Sequence, residues 1–270
     1  MALVHGFLSP SECTHLIGRA RDLLAPSVVA RIEGGVENKR VSGSRTSSSC
    51  CLAAKDDMVV RRAVQRAAYL AGLSPQHSEQ VQVVHYKLTE QYRPHYDFFG
   101  HEQHPGLADE ERLEDARGNR LLSFFVYLQL PKQGGRTHFP QLEESFQPTA
   151  GGGARGQSSS CPTVVAHREL VHTALPPSLS AALVWYNFDR HGNADKRTLH
   201  AGEPVERGEK FGMNIWLRER AAPRKNAAAP PPSGVVERCC QCGSATGPLG
   251  LCLCRAQYEG SSSPKEIIEW

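Results

Sequence analysis

An α+β fold, with its strands laid out as an antiparallel sandwich or jelly roll, is predicted by three features of the 270-residue sequence. Apolar residues recur at helical spacing in two segments that precede Gly72. From Val81 onward the texture changes to short β-branched and aromatic runs bounded by Gly, Pro, Asn and Asp. The connections between those runs are long and non-helical, which disfavours a doubly wound parallel sheet. Helices first and strands after place the functional site on the sheet.

Taken in order, the N-terminal part reads as mostly helical. Ser9-Pro10-Ser11-Glu12 offers a cap, a proline for the first turn and an early acid. Leu16, Ile17, Ala20, Leu23 and Leu24 then recur on one face. Met58–Ala71 repeats the pattern through Val59, Val60, Ala63, Val64, Ala67 and Leu70, with Gly72 as the stop. The predicted strands are VQVVHYKL from Val81, LLSFFVYLQL from Leu121, AALVWYNF from Ala181 and KFGMNIWL from Lys210. Thr149–Ser160 is Gly/Ser-rich and reads as a surface loop. Residues 221–234, AAPRKNAAAPPPSG, have the composition of an extended linker. The chain therefore divides into a body at 1–220, that linker, and a Cys-rich tail at 235–270.

Charge and composition exclude several functions. Lys and Arg total 31 against 28 Asp and Glu, a net +3 that argues for neither a nucleic-acid nor a membrane partner. The longest apolar stretch, Leu121–Leu130, is far short of a membrane span. The start, MALVHGFLSP, lacks the charged and apolar regions of a signal peptide. As written the sequence predicts a cytoplasmic protein, and the endoplasmic reticulum lumen if a leader is missing. An odd count of nine cysteines fits reduced thiols better than a disulfide framework.

The chemistry begins at His95-Tyr96-Asp97. On an extended strand, positions i and i+2 share a face, so the imidazole and the carboxylate can converge on one ion. His200, in TLHAGEPV, is the best third ligand. Two His and one carboxylate form the facial triad of non-haem Fe(II) oxygenases, with three positions left open for a cosubstrate and O2. Alone, H-x-D is a weak pattern. Ten residues after His200, Lys210 shares a strand face with Gly212, Asn214 and Trp216. An inward lysine needs an anionic partner, and the far carboxylate of a dicarboxylate cosubstrate would supply one. Tyr86 and Thr137 could add hydroxyl donors to it. Without the triad, Lys210 would read as a side chain snorkelling to the surface.

These segments carry a resemblance. FLSPSECTHLI, RTSSS, QVVHYKLTEQYRPHYDFF, GNRLLSFFVYLQL, GGRTHFP, ALVWYNF and TLHAGEPVERGEKFGMNIWLRE, in that order, resemble the catalytic domain of the prolyl 4-hydroxylase family of Fe(II)/2-oxoglutarate dioxygenases. They span roughly residues 4–219, about four-fifths of the chain. The resemblance implies a double-stranded β-helix (a jelly roll) with N-terminal packing helices. It implies His95, Asp97 and His200 as iron ligands and Lys210, Tyr86 and Thr137 as the 2-oxoglutarate site. On the substrate side it implies Tyr92, Arg120 and Trp216, and it makes Arg45–Ser49 the start of a mobile loop. The implied reaction consumes O2 and 2-oxoglutarate, yields succinate and CO2, and hydroxylates a proline-containing peptide at C4, with L-ascorbate keeping the iron reduced. Two departures, Pro176–Ser180 and Arg136 in GGRT, touch loops rather than ligands.

Several readings stay open beside it. Tyr92 can be an ordinary strand aromatic and Arg120 a surface charge. His101 and His104 read as solvated loop residues, and His85 and His138 as structural or supporting ones. The same chemistry could act on lysine, a free amino acid or an oxygen-sensing substrate. A non-catalytic module that binds Pro-rich peptides is the alternative of another class, and four intact residues (His95, Asp97, His200 and Lys210) argue against it. In the tail, Cys239, Cys242, Cys252 and Cys254 could enclose one Zn2+, with Cys240 as an alternative ligand. The one-residue spacer of the second pair departs from the usual two. An unstructured reduced tail, a redox use and a contact surface for a protein partner are the competing readings.

Overall fold

Two faces of one large sheet, one apolar and one carrying polar groups, organise the molecule. The computed structural model describes residues 1–33, 36–41, 43–99, 117–146, 163–166 and 180–222. In chain order the elements begin with β1 (Ala2–His5), α1 (Pro10–Arg21), β2 (Ala25–Pro26), β3 (Val28–Glu33), β4 (Val36–Val41), β5 (Ser48–Leu52) and α2 (Met58–Leu70). Then come β6 (Val81–Tyr86), β7 (Tyr92–His95), β8 (Arg120–Gln129), β9 (Gln133–Gly134), β10 (Thr137–Phe139), β11 (Glu144–Phe146) and β12 (Thr163–Ala166). β13 (Ala181–Tyr186), β14 (His200–Gly202), β15 (Val205–Arg207) and β16 (Lys210–Arg218) complete the set.

The large sheet runs β12-β1-β13-β8-β16-β6-β5-β2, and a smaller one runs β11-β10-β14-β7. Pairing within both is antiparallel, as in β16 with β6 and β8, so the architecture is mostly antiparallel and jelly-roll-like, with few helices. The two-residue period divides the central strands. Leu122, Phe124 and Val126 of β8, with Phe211, Met213, Ile215 and Leu217 of β16, join one core with Leu16 and Ala20 of α1 and Val60, Ala63, Val64 and Ala67 of α2. The alternate residues Phe125 and Tyr127 join a second core with Leu183 and Trp185 of β13 and Phe139 and Phe146 of the smaller sheet. Each large side chain so buried contributes about 1.5–3 kcal/mol.

Both helices stand where the periodicity puts them. Ser9 caps α1 and forms the full capping box with Glu12. The cap of α2, Asp57, accepts from the backbone N–H groups of Val59 and Val60 and also meets His15 of α1 at 2.8 Å. The mostly helical reading of the N-terminal part needs correction. β1 lies between β12 and β13, β3 and β4 form a separate hairpin, and β5 adds to β6. These strands are short and owe their state to partners distant in sequence, which local periodicity does not carry. Within Arg45–Ser49, Ser48 and Ser49 pair with His85 and Val84, and Arg45 and Ser47 are buried. The Thr149–Ser160 loop, His101, His104, residues 223–234 of the linker and the whole Cys-rich tail lie outside the described residues, and so do 176–179.

Gly212 faces Phe125 so closely that an added Cβ would overlap the ring. Gly212→Ala should therefore cost about 1–3 kcal/mol through overpacking. Urea unfolding should show a lower midpoint at unchanged slope, and an unchanged midpoint would contradict this packing.

Candidate active site

His95 closes β7 and His200 opens β14, and the two residues are direct cross-strand partners in the smaller sheet. Asp97 lies in the bend just past β7 rather than on the strand, and it still turns into the same space. One ligand atom from each of the three falls within 4.8 Å of the others. His95 Nε2 is 4.0 Å from Asp97 Oδ1, and His200 Nε2 is 3.8 Å from Asp97 Oδ2.

The imidazoles are oriented by their own backbone. His95 Nδ1 lies 2.9 Å from the Arg93 carbonyl and His200 Nδ1 lies 2.9 Å from the Thr198 carbonyl. A carbonyl only accepts, so each Nδ1 carries the proton and each Nε2 presents a lone pair inward. Burial, then His200, hold the His95 pKa far down, at about 3, so its ring is neutral. Burial alone would raise Asp97, but Arg120 and a hydrogen bond from Ser123 pull the other way, and its carboxyl stays below the usual range. Two lone pairs and a carboxylate converging without a proton between them are a donor set for a hard-to-borderline divalent ion. Fe(II) fits it.

Lys210 begins β16 opposite Tyr86 of β6 and is almost fully buried. Its Nζ donates to the Gly135 carbonyl at 2.7 Å and otherwise faces the rings of Phe125, Tyr86 and Tyr127, 4.8, 5.5 and 5.5 Å away. It has no ion pair among the described residues, and burial pushes it down to about 7 against a weaker upward pull from Glu203. Gly134 and Gly135 hold φ of +73° and +66°, the left-handed region, and so aim that carbonyl at the ammonium. Thr137 is buried beside it, with its hydroxyl 2.7 Å from the Tyr127 hydroxyl. The Tyr127 hydroxyl also lies 3.3 Å from the Phe146 carbonyl.

Tyr92 stacks on His95 at 3.5 Å between centroids and carries the Arg45 guanidinium 4.7 Å over its ring. Arg120 is no surface charge: it forms a two-point pair with Glu79 at 2.8 and 2.9 Å. It also lies 3.6 Å over the Trp216 ring. All of these side chains line one pocket with His95, Asp97, His200 and Lys210. Glu79, Ser123 and Tyr127 were not picked out by sequence reasoning. Ser123 alone leaves a signal, as the one small polar residue within the apolar LLSFFVYL run. His85 is turned away from the pocket, stacked on Phe211 and bonded to Glu209 at 2.8 Å, and His138 bonds Ser145. Both are structural.

The architecture and donor set define a non-haem iron oxygenase, and comparison with known proteins narrows the class. Residues 81–218 match the model of the 2OG-Fe(II) oxygenase superfamily. Probable prolyl 4-hydroxylase 3 of Arabidopsis thaliana is 30% identical over 215 residues, covering 79% of this chain and 67% of that protein. Prolyl 4-hydroxylase 5 of the same plant is 30% identical over 216 residues, 79% and 66% of the two chains. Prolyl 4-hydroxylase subunit alpha-2 of Gallus gallus is 30% identical over 213 residues, but only 33% of its length is covered. Among solved structures, the viral collagen prolyl hydroxylase of Paramecium Bursaria Chlorella virus-1, in its 2OG complex, superposes with a TM-score of 0.51 at 25% identity. That match covers 80% of this chain and 94% of the viral one. This chain belongs to the 2OG-Fe(II) oxygenase superfamily and carries a catalytic domain of the prolyl 4-hydroxylase family. It is a 2-oxoglutarate-dependent dioxygenase. It spans about two thirds of the length of its plant relatives, 63% for probable prolyl 4-hydroxylase 7.

Glu79→Ala should strand Arg120 half-buried over Trp216 and cost about 1–3 kcal/mol. A thermal melt would detect the loss, and wild-type stability would show that the pair holds nothing in place.

Proposed function

We propose that the protein hydroxylates peptidyl proline at C4, with His95, Asp97 and His200 holding Fe(II). The observation that carries the reading is the inward-facing His-Asp-His set with a buried, unneutralised ammonium in the same pocket. Iron with 2-oxoglutarate and O2 would supply the oxidising chemistry: one oxygen atom of O2 would enter succinate as the keto acid loses CO2, and the other would pass to the substrate. The chain's own residues bind, orient and exclude water.

Lys210 receives the far carboxylate of 2-oxoglutarate, which restores the charge partner that its burial lacks. Tyr86, its cross-strand neighbour, and Thr137 shape that end of the pocket. Tyr92 offers an aromatic face to a proline ring, while Arg120 and Trp216, fixed by Glu79, bound the peptide side. L-Ascorbate serves to return iron to Fe(II). We assign this activity to residues 1–220, joined by the 221–234 linker to a tail whose four cysteines are a candidate Zn2+ site. The fold assigned to the domain is the double-stranded β-helix of the family.

Asp97→Ala should abolish succinate production from 2-oxoglutarate in a metal-replete assay, and full turnover would overturn the triad. Lys210 makes a second outcome specific. Its ammonium is charged below about pH 7 in the free enzyme and neutral above, so 2-oxoglutarate binds best at the lower pH. The dissociation constant, measured anaerobically with Fe(II), should rise by up to about tenfold per pH unit above 7. Lys210→Met should weaken binding at pH 6.5 by about 10- to 100-fold and flatten that slope. A slope that survives the substitution would assign it to another group.

A further inference from the structure

Behind Asp97 lies a run of buried hydrogen bonds that no part of the reaction uses directly. Trp185 Nε1 donates to Asn187 Oδ1 at 3.1 Å. Asn187 Nδ2 donates to Ser123 Oγ at 3.1 Å and to the Arg120 carbonyl at 3.0 Å. Ser123 Oγ donates to Asp97 Oδ2 at 2.7 Å. Asn187 is completely buried, and Ser123 and Trp185 are exposed by only 1% and 3%. At that depth every polar atom needs its partner.

The directions are forced. An indole N–H can only donate, so the amide oxygen of Asn187 faces Trp185 and its NH2 faces Ser123. Ser123 then accepts from Asn187, and its single proton is left for Asp97. The three residues come from neighbouring positions of the sheet: Trp185 of β13 pairs directly with Ser123 of β8. Asn187 follows β13 and bonds through its N–H to the Leu121 carbonyl. The side chain of Trp185 also meets the ring of His200 edge-on at 4.8 Å.

We infer that Trp185, Asn187 and Ser123 form a positioning relay that pins Asp97 Oδ2 and leaves Oδ1 to bind the metal through a single oxygen. Asn187 acts on Asp97 only through Ser123, and Trp185 acts only by fixing the Asn187 amide. None of the three is a catalytic residue. A pinned carboxylate loses little freedom when it takes the ion, so the relay raises metal affinity before any cosubstrate binds. This rests on the iron-site reading of the triad.

The test is the dissociation constant for Fe(II), measured anaerobically on the full chain without 2-oxoglutarate, alongside a thermal melt. Ser123→Ala should weaken Fe(II) binding by about 10- to 100-fold, and Ser123→Thr, which keeps the hydroxyl, should recover most of it. Asn187→Leu should weaken binding too. The double variant should bind no worse than Ser123→Ala alone, because one residue acts through the other. Losses that add would overturn the relay, as would wild-type affinity in Ser123→Ala. If Ser123→Ala does not fold, the comparison of Asn187→Leu with wild type decides, and unchanged affinity there overturns the proposal. Absence of Fe(II) binding by the wild-type protein would instead remove the iron site itself.

Discussion

Burying a carboxylate and an ammonium between two sheets is the constraint on which the rest of this structure depends. Neither charge tolerates the interior without compensation. Asp97 is compensated by Ser123 and by Arg120, and its backbone carbonyl lies 3.4 Å from an Arg120 amino group. Lys210 is compensated by one carbonyl and three aromatic faces, and its lowered pKa records that this is incomplete. In the proposed function, a dianionic keto acid finishes the electrostatics that folding leaves open.

Holding those groups takes a wall that faces both ways. On β8 and β16 one set of alternate residues seals against α1 and α2, and the other builds the pocket. A slip of one residue would move Lys210 and Ser123 into the helix-facing core and Phe211 and Leu122 into the pocket. The register is therefore set by charge as well as by apolar burial. Gly212, between Lys210 and Asn214, gives Phe125 the space to lie beside the ammonium.

Much of this was legible in the residues. Alternation in KFGMNIWL put Lys210 and Trp216 on one face, capping chemistry placed the start of α1, and apolar spacing placed that of α2. The pairing of His95 with Asp97 survives although the strand ends at His95, because the bend continues the turn toward the site. What was hidden depends on partners far along the chain. β1 and β5 exist only as additions to the large sheet, and Glu79 matters only because folding lays Arg120 and Trp216 against it. Thr137 lines the pocket, but its contact with the Tyr127 hydroxyl leaves no trace in the sequence.

The central claim is that this pocket couples 2-oxoglutarate cleavage to proline oxidation. Its most direct test is mass spectrometry of a proline-rich peptide incubated with the full chain, Fe(II), 2-oxoglutarate, ascorbate and O2, with succinate measured in parallel. The account predicts peptides heavier by one oxygen atom, located on proline at C4, with one succinate formed for each hydroxyl. Succinate released with the peptide unmodified, or no succinate from folded and iron-loaded protein, would contradict it.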